Sequence, residues 1–362
     1  MYDIIFTVSN DLSYDQRMMR ISTSLAQSGY KVLLVGRRKK KSIPLVPQPF
    51  QQKRLKIFFS KGKLFYIEFN IRLMAYLLTM RCKAICAIDL DTIMPCLFIS
   101  LLKGSKRAYD AHELFCEMKE IVTRPAIYKF WKKIERFTVP KFTNGYTVSD
   151  PIADEFKKMY GVNYRVIINC PRLMRLSIPE KNEKYVLYQG AVNEGRSFES
   201  LIPAMKDVDA RLIICGDGNY MQQAMHLVKQ HGLEQRVIFK GLLPPAELRE
   251  VSLRAWIGIT LFEKNGLSNY YSSANRFFDY IHAGLPQLCV DYPVYHEINK
   301  QCEVAVLIND LSSSCIAREL NRLLHNQELY DLLQQNCIKA RDEFNWDKEE
   351  KKLIAFYQNL LP

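Results

Sequence analysis

The chain has 362 residues, 48% of them hydrophobic and 25% charged, with 51 Lys and Arg against 38 Asp and Glu for a formal net charge of +13. At roughly 150 residues per domain this length predicts two domains, and it excludes a mini-protein held together by metals or disulfides. The composition is globular and excludes a disordered chain, while fifteen Gly and fifteen Pro exclude a collagen-like or linker-rich one.

Residues 2–8 (YDIIFTV) read as a strand, followed by a polar loop from Ser9 to Ser13. A helix is predicted from there to about Gln27, with Met18, Ile21 and Leu25 at i, i+3 and i+7, and Gly29 is placed to end it. Lys31–Val35 is the next strand. Ala84–Ile88, Arg107–Tyr109, Tyr146–Val148 and Val166–Ile168 follow. Residues 169–184 (NCPRLMRLSIPEKNEK) break the alternation with two prolines and a run of charges, and read as a linker. Strands then resume at Tyr185–Gln189, Leu212–Cys215, Val237–Phe239, Trp256–Leu261, Gln287–Val290 and Ala305–Ile308.

Near-continuous apolar strands separated by helices indicate parallel sheets covered on both faces. The expected fold is α/β, with two doubly wound, Rossmann-like domains facing across a cleft. They should comprise residues 1–170 and 171–345, and a last helix over 346–362 should cross back toward the first. Ligands in such sheets sit beyond the carboxyl ends of the strands.

No stretch reaches the roughly 18 consecutive apolar residues of a spanning helix. The N-terminus has no basic region ahead of an apolar signal core, so secretion is not expected. The ten cysteines form no C-x-x-C pair. Cys82 and Cys86 stand four apart with no His or second pair to complete a zinc set. They are expected to be small core residues in a reducing, cytoplasmic setting.

The charge is uneven. Residues 1–170 hold 29 Lys and Arg against 14 Asp and Glu, a net of +15, and the remainder nets −2. Four clusters carry the excess: Arg37 to Lys41; Lys53, Arg54, Lys56, Lys61 and Lys63 around Phe58, Phe59, Phe65 and Tyr66; Lys103, Lys106 and Arg107; and Lys129, Lys132, Lys133, Arg136 and Lys141 among Tyr128, Phe130, Trp131 and Phe137. Basic residues interleaved with exposed aromatics suit an anionic membrane surface or a nucleic acid.

The chemistry-bearing residues lie mainly in the second half. Tyr185–Gln189 leads into Gly190, then Ala-Val-Asn-Glu-Gly195-Arg196 and a helical run. A helix N-terminus there would present unpaired N–H groups to a phosphate, with Gly190 allowing close backbone approach and Arg196 adding charge. Gly216 and Gly241 each end a strand where a side chain would obstruct a ligand. Ser272–Asn275 reads as a helix start with small polar residues and free N–H groups. One turn on, Asp279 can accept two hydrogen bonds from a vicinal diol such as a ribose.

The run Ser272-x-Ala274-x-Arg276-x-x-Asp279-Tyr280-x-x-x-Gly284-x-Pro286 resembles the S-x-P-x-K-x-x-E-Y-x-x-x-G-x-P segment of the GT-B glycosyltransferases of the retaining group 1, family 4-like and of bacterial type. QGAVNEGR at 189–196, IICGDG at 213–218 and VIFKG at 237–241 agree in order. So do Asp110-Ala-His112-Glu113, Thr147-Val148-Ser149 and the terminal Asn345-Trp346-Asp347.

The resemblance implies that Gly190 and Arg196 meet the donor diphosphate, that Asp279 holds the ribose, and that Arg276 takes the place of the family's lysine. It places His112 near the reacting centre. Tyr271 stands where the family often has a glutamate contacting the donor sugar. Ala274 replaces a proline and Ser197 a glycine, and no glycine-rich loop follows the first strand. Asp89-x-Asp91 reads as a strand-end loop and not as a metal site.

The implied function is transfer of a sugar from a nucleotide-diphosphate sugar, UDP or GDP not distinguished, to a hydroxyl of a glycan or lipid-linked acceptor. No metal or other cofactor is expected. The alternatives are a sugar-nucleotide epimerase of similar fold and a non-catalytic nucleotide-sugar-binding subunit. The expected location is cytoplasmic, peripheral on the inner face of a membrane, with the basic first half on anionic lipid. Nucleic acid is not an expected partner, because the basic half also carries the sugar-transferase landmarks.

Overall fold

The computed structural model of the protein describes residues 1–362 apart from Lys41, Leu176 and Asn182, with the backbone alone at Tyr14. Two units emerge: residues 1–168 with 349–362, and residues 169–348. Lys41 of the first basic cluster, and Leu176 and Asn182 of the predicted linker, lie outside the described residues.

The first unit contains β1 (Tyr2–Thr7), α1 (Gln16–Gln27), β2 (Val32–Arg38), β3 (Gln51–Lys56), α2 (Gly62–Thr79), β4 (Cys82–Ile88), α3 (Ile93–Lys103), β5 (Lys106–Ala111), α4 (Lys119–Val122), α5 (Pro125–Thr138), β6 (Gly145–Thr147), α6 (Asp150–Tyr160) and β7 (Arg165–Val166). Its parallel sheet runs β3-β2-β1-β4-β5-β6-β7. The second contains β8 (Tyr185–Gln189), α7 (Phe198–Ala204), β9 (Arg211–Cys215), α8 (Met221–Gln230), β10 (Val237–Gly241), α9 (Pro245–Arg254), β11 (Ile257–Thr260), α10 (Leu267–Tyr270), α11 (Asn275–His282), β12 (Gln287–Val290), α12 (Pro293–Cys302), β13 (Ala305–Ile308), α13 (Ser313–His325) and α14 (Gln327–Ala340). Its parallel sheet runs β10-β9-β8-β11-β12-β13. The last helix, α15 (Trp346–Leu360), begins in the second unit and continues into the first.

Both sheets are built from strands whose central residues are buried on both faces, Ile4, Ile5 and Phe6 in β1 and Val186, Leu187 and Tyr188 in β8. Each sheet reverses its winding direction once, between β1 and β4 and between β8 and β11. At such a switch point the connections leave in opposite directions and a crevice opens at the carboxyl ends.

One strand departs from the sequence reading. Gln51–Lys56, read as part of a basic cluster, is β3, paired from Leu33↔Gln51 to Arg38↔Lys56. It carries no apolar alternation because it is the edge strand, where charged side chains block further pairing. Two of its cluster's residues are internal. Arg54 forms a buried ion pair with Asp11 at 3.1 Å, and Phe65 lies in the core. Trp131 of the fourth cluster is also buried.

Within the first unit, the later turns of α15 pack on the sheet. Tyr357 meets Phe6 with ring centroids 5.8 Å apart. Ser24 Oγ donates to Glu350 at 2.8 Å, and the Ile168 N–H donates to Glu349 at 2.8 Å. Cys82 and Cys86 lie on β4, and eight of the ten free cysteines are buried. Among the described residues, no helix is long and apolar enough to cross a membrane.

Gly216 is fixed by the backbone itself. A Cβ there would sit 1.8 Å from the Gly190 carbonyl oxygen, and its φ is +153°. The obstruction that the structure shows is the neighbouring loop. Gly241 has φ +66° with open space around its Cβ position. Gly241→Ala should therefore cost about 1 kcal/mol from the left-handed backbone alone. Gly216→Ala should cost at least 1–3 kcal/mol more by overpacking. Urea unfolding of the two variants checks the order.

Candidate functional site

In the second unit the switch point is marked by two aromatic side chains and two guanidinium groups. Arg276, in the first turn of α11, stacks on Tyr188 of β8 at 4.3 Å and on Phe262, just beyond β11, at 5.0 Å. Arg196 stacks on the same Phe262 ring at 4.5 Å and donates to Asn269 Oδ1 at 3.3 Å. The Arg276 side chain is only 7% exposed. Its Nη1 has no hydrogen-bond partner among the described residues, and no carboxylate there pairs with it. A buried cation in this state is costly unless something negative arrives to answer it.

Gly190 lies against this group. The Arg276 guanidinium carbon is 3.8 Å from where a Gly190 Cβ would stand, and φ at Gly190 is +116°, which L side chains seldom adopt. The Gly190 N–H donates to Cys215 O at 2.9 Å and the Gly216 N–H to Gly241 O at 2.8 Å. The three glycines thus abut in one row at the carboxyl ends of β8, β9 and β10.

Asp279 is held by a residue the sequence reading passed over. Gln189, the buried last residue of β8, donates from Nε2 to Asp279 Oδ2 at 2.8 Å. Its Oε1 accepts from Ser252 Oγ at 2.8 Å, and its N–H donates to the Tyr280 hydroxyl at 3.2 Å. The amide fixes one oxygen of the shorter carboxylate. The available signal was a polar residue ending an otherwise apolar strand, directly before Gly190.

The remaining expected residues divide. Ser272 Oγ lies 3.1 Å from the Tyr295 hydroxyl, which also accepts the Ala274 N–H at 3.1 Å. Asn275 Oδ1 accepts from Asn169 at 2.6 Å, so its side chain ties α11 to the linker. Tyr271 follows the short α10 beside Tyr270, with centroids 5.2 Å apart. Helix α7 begins only at Phe198 and has seven residues, too few for the strong N-terminal field expected after Gly190–Arg196. Ser197 before it holds φ +58°, which accounts for a glycine as the family's residue there. Ser197 Oγ and Ser273 Oγ, ahead of α7 and α11, are buried with no hydrogen-bond partner among the described residues.

His112 belongs to a separate polar cluster at the carboxyl ends of β4 and β5 in the first unit. Its Nε2 lies 3.0 Å from Asp110 Oδ2 and its Nδ1 3.5 Å from Asp89 Oδ2. The His112 N–H donates to Asp89 Oδ1 at 2.9 Å. Asp110 is fully buried and paired with Arg17 at 2.9 Å. Asp91 accepts from Ser9 Oγ, so the two aspartates of the D-x-D have different protein partners. Burial disfavours a charge on His112, yet Asp110 and then Asp89 outweigh it and hold its pKa up at about 9. Burial also opposes the charge on Asp110, but Arg17 and His112 keep that carboxyl below its ordinary value. Burial, with Glu113 and Asp91 nearby, pushes Asp89 up to about 7 against the pull of His112. The imidazolium therefore rests first on Asp110. Arg17, separated by 93 positions from Asp110, had no local signature.

His112 should be protonated at neutral pH. Its folded value lies above the ordinary 6.5, so its contribution to stability is complete below about 6.5 and is lost as pH rises through about 9. An NMR titration of the ring should give a midpoint well above 7.5, lowered by Asp110→Asn. A midpoint near 6.5 in the unaltered protein would contradict the assignment.

Residues 174–340 match the family model described as Glycosyl transferases group 1. The "uncharacterized glycosyltransferase MJ1607" of Methanocaldococcus jannaschii is 22% identical over 186 residues. That match takes in 49% of this chain and spans 46% of the relative's own length. Sucrose-phosphate synthase from Thermosynechococcus elongatus matches with a TM-score of 0.83 at 16% identity, over 99% of both chains. HepE of Anabaena, solved with UDP and glucose, matches with a TM-score of 0.78 at 12% identity, over 99% of this chain and 100% of that one. Residues 174–340 are thus similar to a group 1 glycosyltransferase domain, and both units have a parallel-sheet, Rossmann-like fold that matches GT-B glycosyltransferase structures.

Proposed function

We propose that the protein is a glycosyltransferase that takes a sugar from a nucleotide-diphosphate donor, with UDP or GDP as the nucleotide, to a hydroxyl of a glycan or lipid-linked acceptor. The observation that carries this reading is Arg276, a buried cation with an unanswered Nη1 at the switch point of the donor-side sheet. HepE, of the same fold, was solved with UDP and glucose, which supports a donor of this class.

In this reading the bond from the anomeric carbon to the diphosphate oxygen breaks, a bond to the acceptor hydroxyl oxygen forms, and the hydroxyl proton passes to the departing diphosphate. Retention at that carbon follows from the resemblance. Arg276 and Arg196 neutralise the departing diphosphate, a stabilisation greatest as charge develops. Gly190 lets the backbone come close to it. Asp279, oriented by Gln189, takes the ribose hydroxyls. His112 is assigned to the reacting centre. Already protonated and facing Asp110 and Asp89, it serves as fixed positive charge and hydrogen-bond donor, not as a general base.

Two guanidinium groups on one phosphate site make a divalent metal dispensable in this account. Turnover should survive a chelator. Calorimetry with UDP- and GDP-sugars should find one that binds, with Arg196→Ala weakening it about 10- to 100-fold, the loss of one charged hydrogen bond. Asp279→Ala should weaken it as well. Unchanged affinity in both variants would remove the site assignment. Tight binding without transfer to any acceptor would contradict the activity.

A further inference from the structure

We propose that the first unit docks on an anionic lipid bilayer through the outward faces of α2, α3 and α5. This rests on a surface apart from the donor site and does not depend on the reading above.

Helix α2 is apolar on two opposite sides. Phe65, Phe69, Leu73 and Leu77, at i, i+4, i+8 and i+12, are buried against the unit. Leu64, Ile67, Ile71 and Leu78 point the other way and are each about half exposed. A helix that needs only one buried stripe ordinarily carries polar residues on the other face. The same surface continues on α3 with Phe98, Leu101 and Leu102, on α5 with Phe130 and Phe137, and ahead of α2 with Phe58 and Phe59. Of the 21 exposed large apolar side chains among the described residues, these eleven fall between positions 58 and 137. Such clustering marks an interaction surface, where scattered singles would not.

The three helices form one layer. The connections β3 to β4, β4 to β5 and β5 to β6 all advance in the same direction along the sheet. Right-handed crossovers therefore put α2, α3 and α5 on the same face. Tyr66 of α2 and Trp131 of α5 touch, with centroids 5.2 Å apart.

The charge on this layer has one sign. Exposed Lys61, Lys63, Lys129, Lys133 and Arg136 border the apolar residues. Helix α3 has no acidic residue. Glu68 of α2 is engaged by Arg72 at 2.7 Å and by the Phe58 and Phe59 amides. Glu135 of α5 is buried against Lys132 at 2.7 Å. On α5 a depression of about 420 Å³ is lined by Tyr128, Phe137, the Glu135-paired Lys132 and three exposed cations, Lys129, Lys133 and Arg136, which suits an anionic headgroup.

This pairing selects the partner. A second copy would set lysines against lysines. A nucleic acid would answer the lysines but leave Leu64, Ile67, Ile71, Leu101 and Leu102 without anything to pack on, since aliphatic side chains offer no stacking platform for bases. A bilayer answers both, with headgroup charge for the cations and the acyl boundary for the apolar residues.

The full chain should sediment with vesicles of phosphatidylcholine containing 30% phosphatidylglycerol, and at least tenfold less with phosphatidylcholine alone. Ile67→Glu combined with Ile71→Glu should abolish sedimentation. Lys129→Glu combined with Lys133→Glu should reduce it at least tenfold and remove the preference for anionic vesicles. All four side chains are exposed, so thermal unfolding should be unchanged. Equal binding to both vesicle types, or none, overturns the proposal. So does a dimer in light scattering that Ile67→Glu and Ile71→Glu dissociate, or displacement from vesicles by an unrelated oligonucleotide at equal charge.

Discussion

The Arg276 guanidinium lies between Tyr188 and Phe262 with one nitrogen unanswered, and much of the second unit is arranged around that charge. Its neighbours are aromatic faces, which favour a cation without neutralising it. Gly190 leaves the space in front of it free of a side chain, and the close approach of Gly216 to the Gly190 carbonyl fixes that loop. The first unit handles a buried cation in the opposite way. Arg17 has Asp110 at 2.9 Å, and the pair also sets the protonation state of His112. One unit keeps an internal ion pair that holds a histidine charged. The other holds a buried cation that no carboxylate among the described residues pairs with.

Local charge and net charge also point in different directions. The unit that we propose binds a diphosphate is slightly acidic, while the strongly basic one carries no such assignment. In the proposed site, anion recognition would rest on two placed guanidinium groups, one of them buried, and a buried charge counts for more than a solvated lysine. A few of the basic unit's cations are in use internally or at the sheet edge. Arg54 pairs with Asp11, Lys132 pairs with Glu135, and Arg37 stacks on Phe65 at 4.0 Å. What remains outward is concentrated beside exposed apolar side chains on α2 and α5.

The doubly wound architecture was legible because central parallel strands are buried on both faces and so read as unbroken apolar runs, as in YDIIFT and YVLYQ. Strand β3 escaped because an edge strand is half solvated and its sequence, QQKRLK, carries charge in place of alternation. Arg196, Arg276 and Asp279 could be singled out because a loop–helix pattern brings them near one strand end. Gln189 could not be given a partner, since Asp279 lies 90 positions away and only the fold joins them. At Gly216 the sequence shows the need for a glycine but not the neighbour that excludes a side chain, because that neighbour, Gly190, belongs to another loop.

The central claim is that Arg276 is a buried charge kept for a phosphate ligand. Thermal unfolding of Arg276→Met with and without a nucleoside diphosphate tests it most directly. Replacing a buried cation that no carboxylate pairs with by an apolar side chain of similar length should stabilise the ligand-free protein by about 1 kcal/mol or more. It should also erase the stabilisation that the nucleoside diphosphate gives the unaltered protein. A variant less stable than the unaltered protein, yet still stabilised by the nucleoside diphosphate to the same extent, would contradict the account.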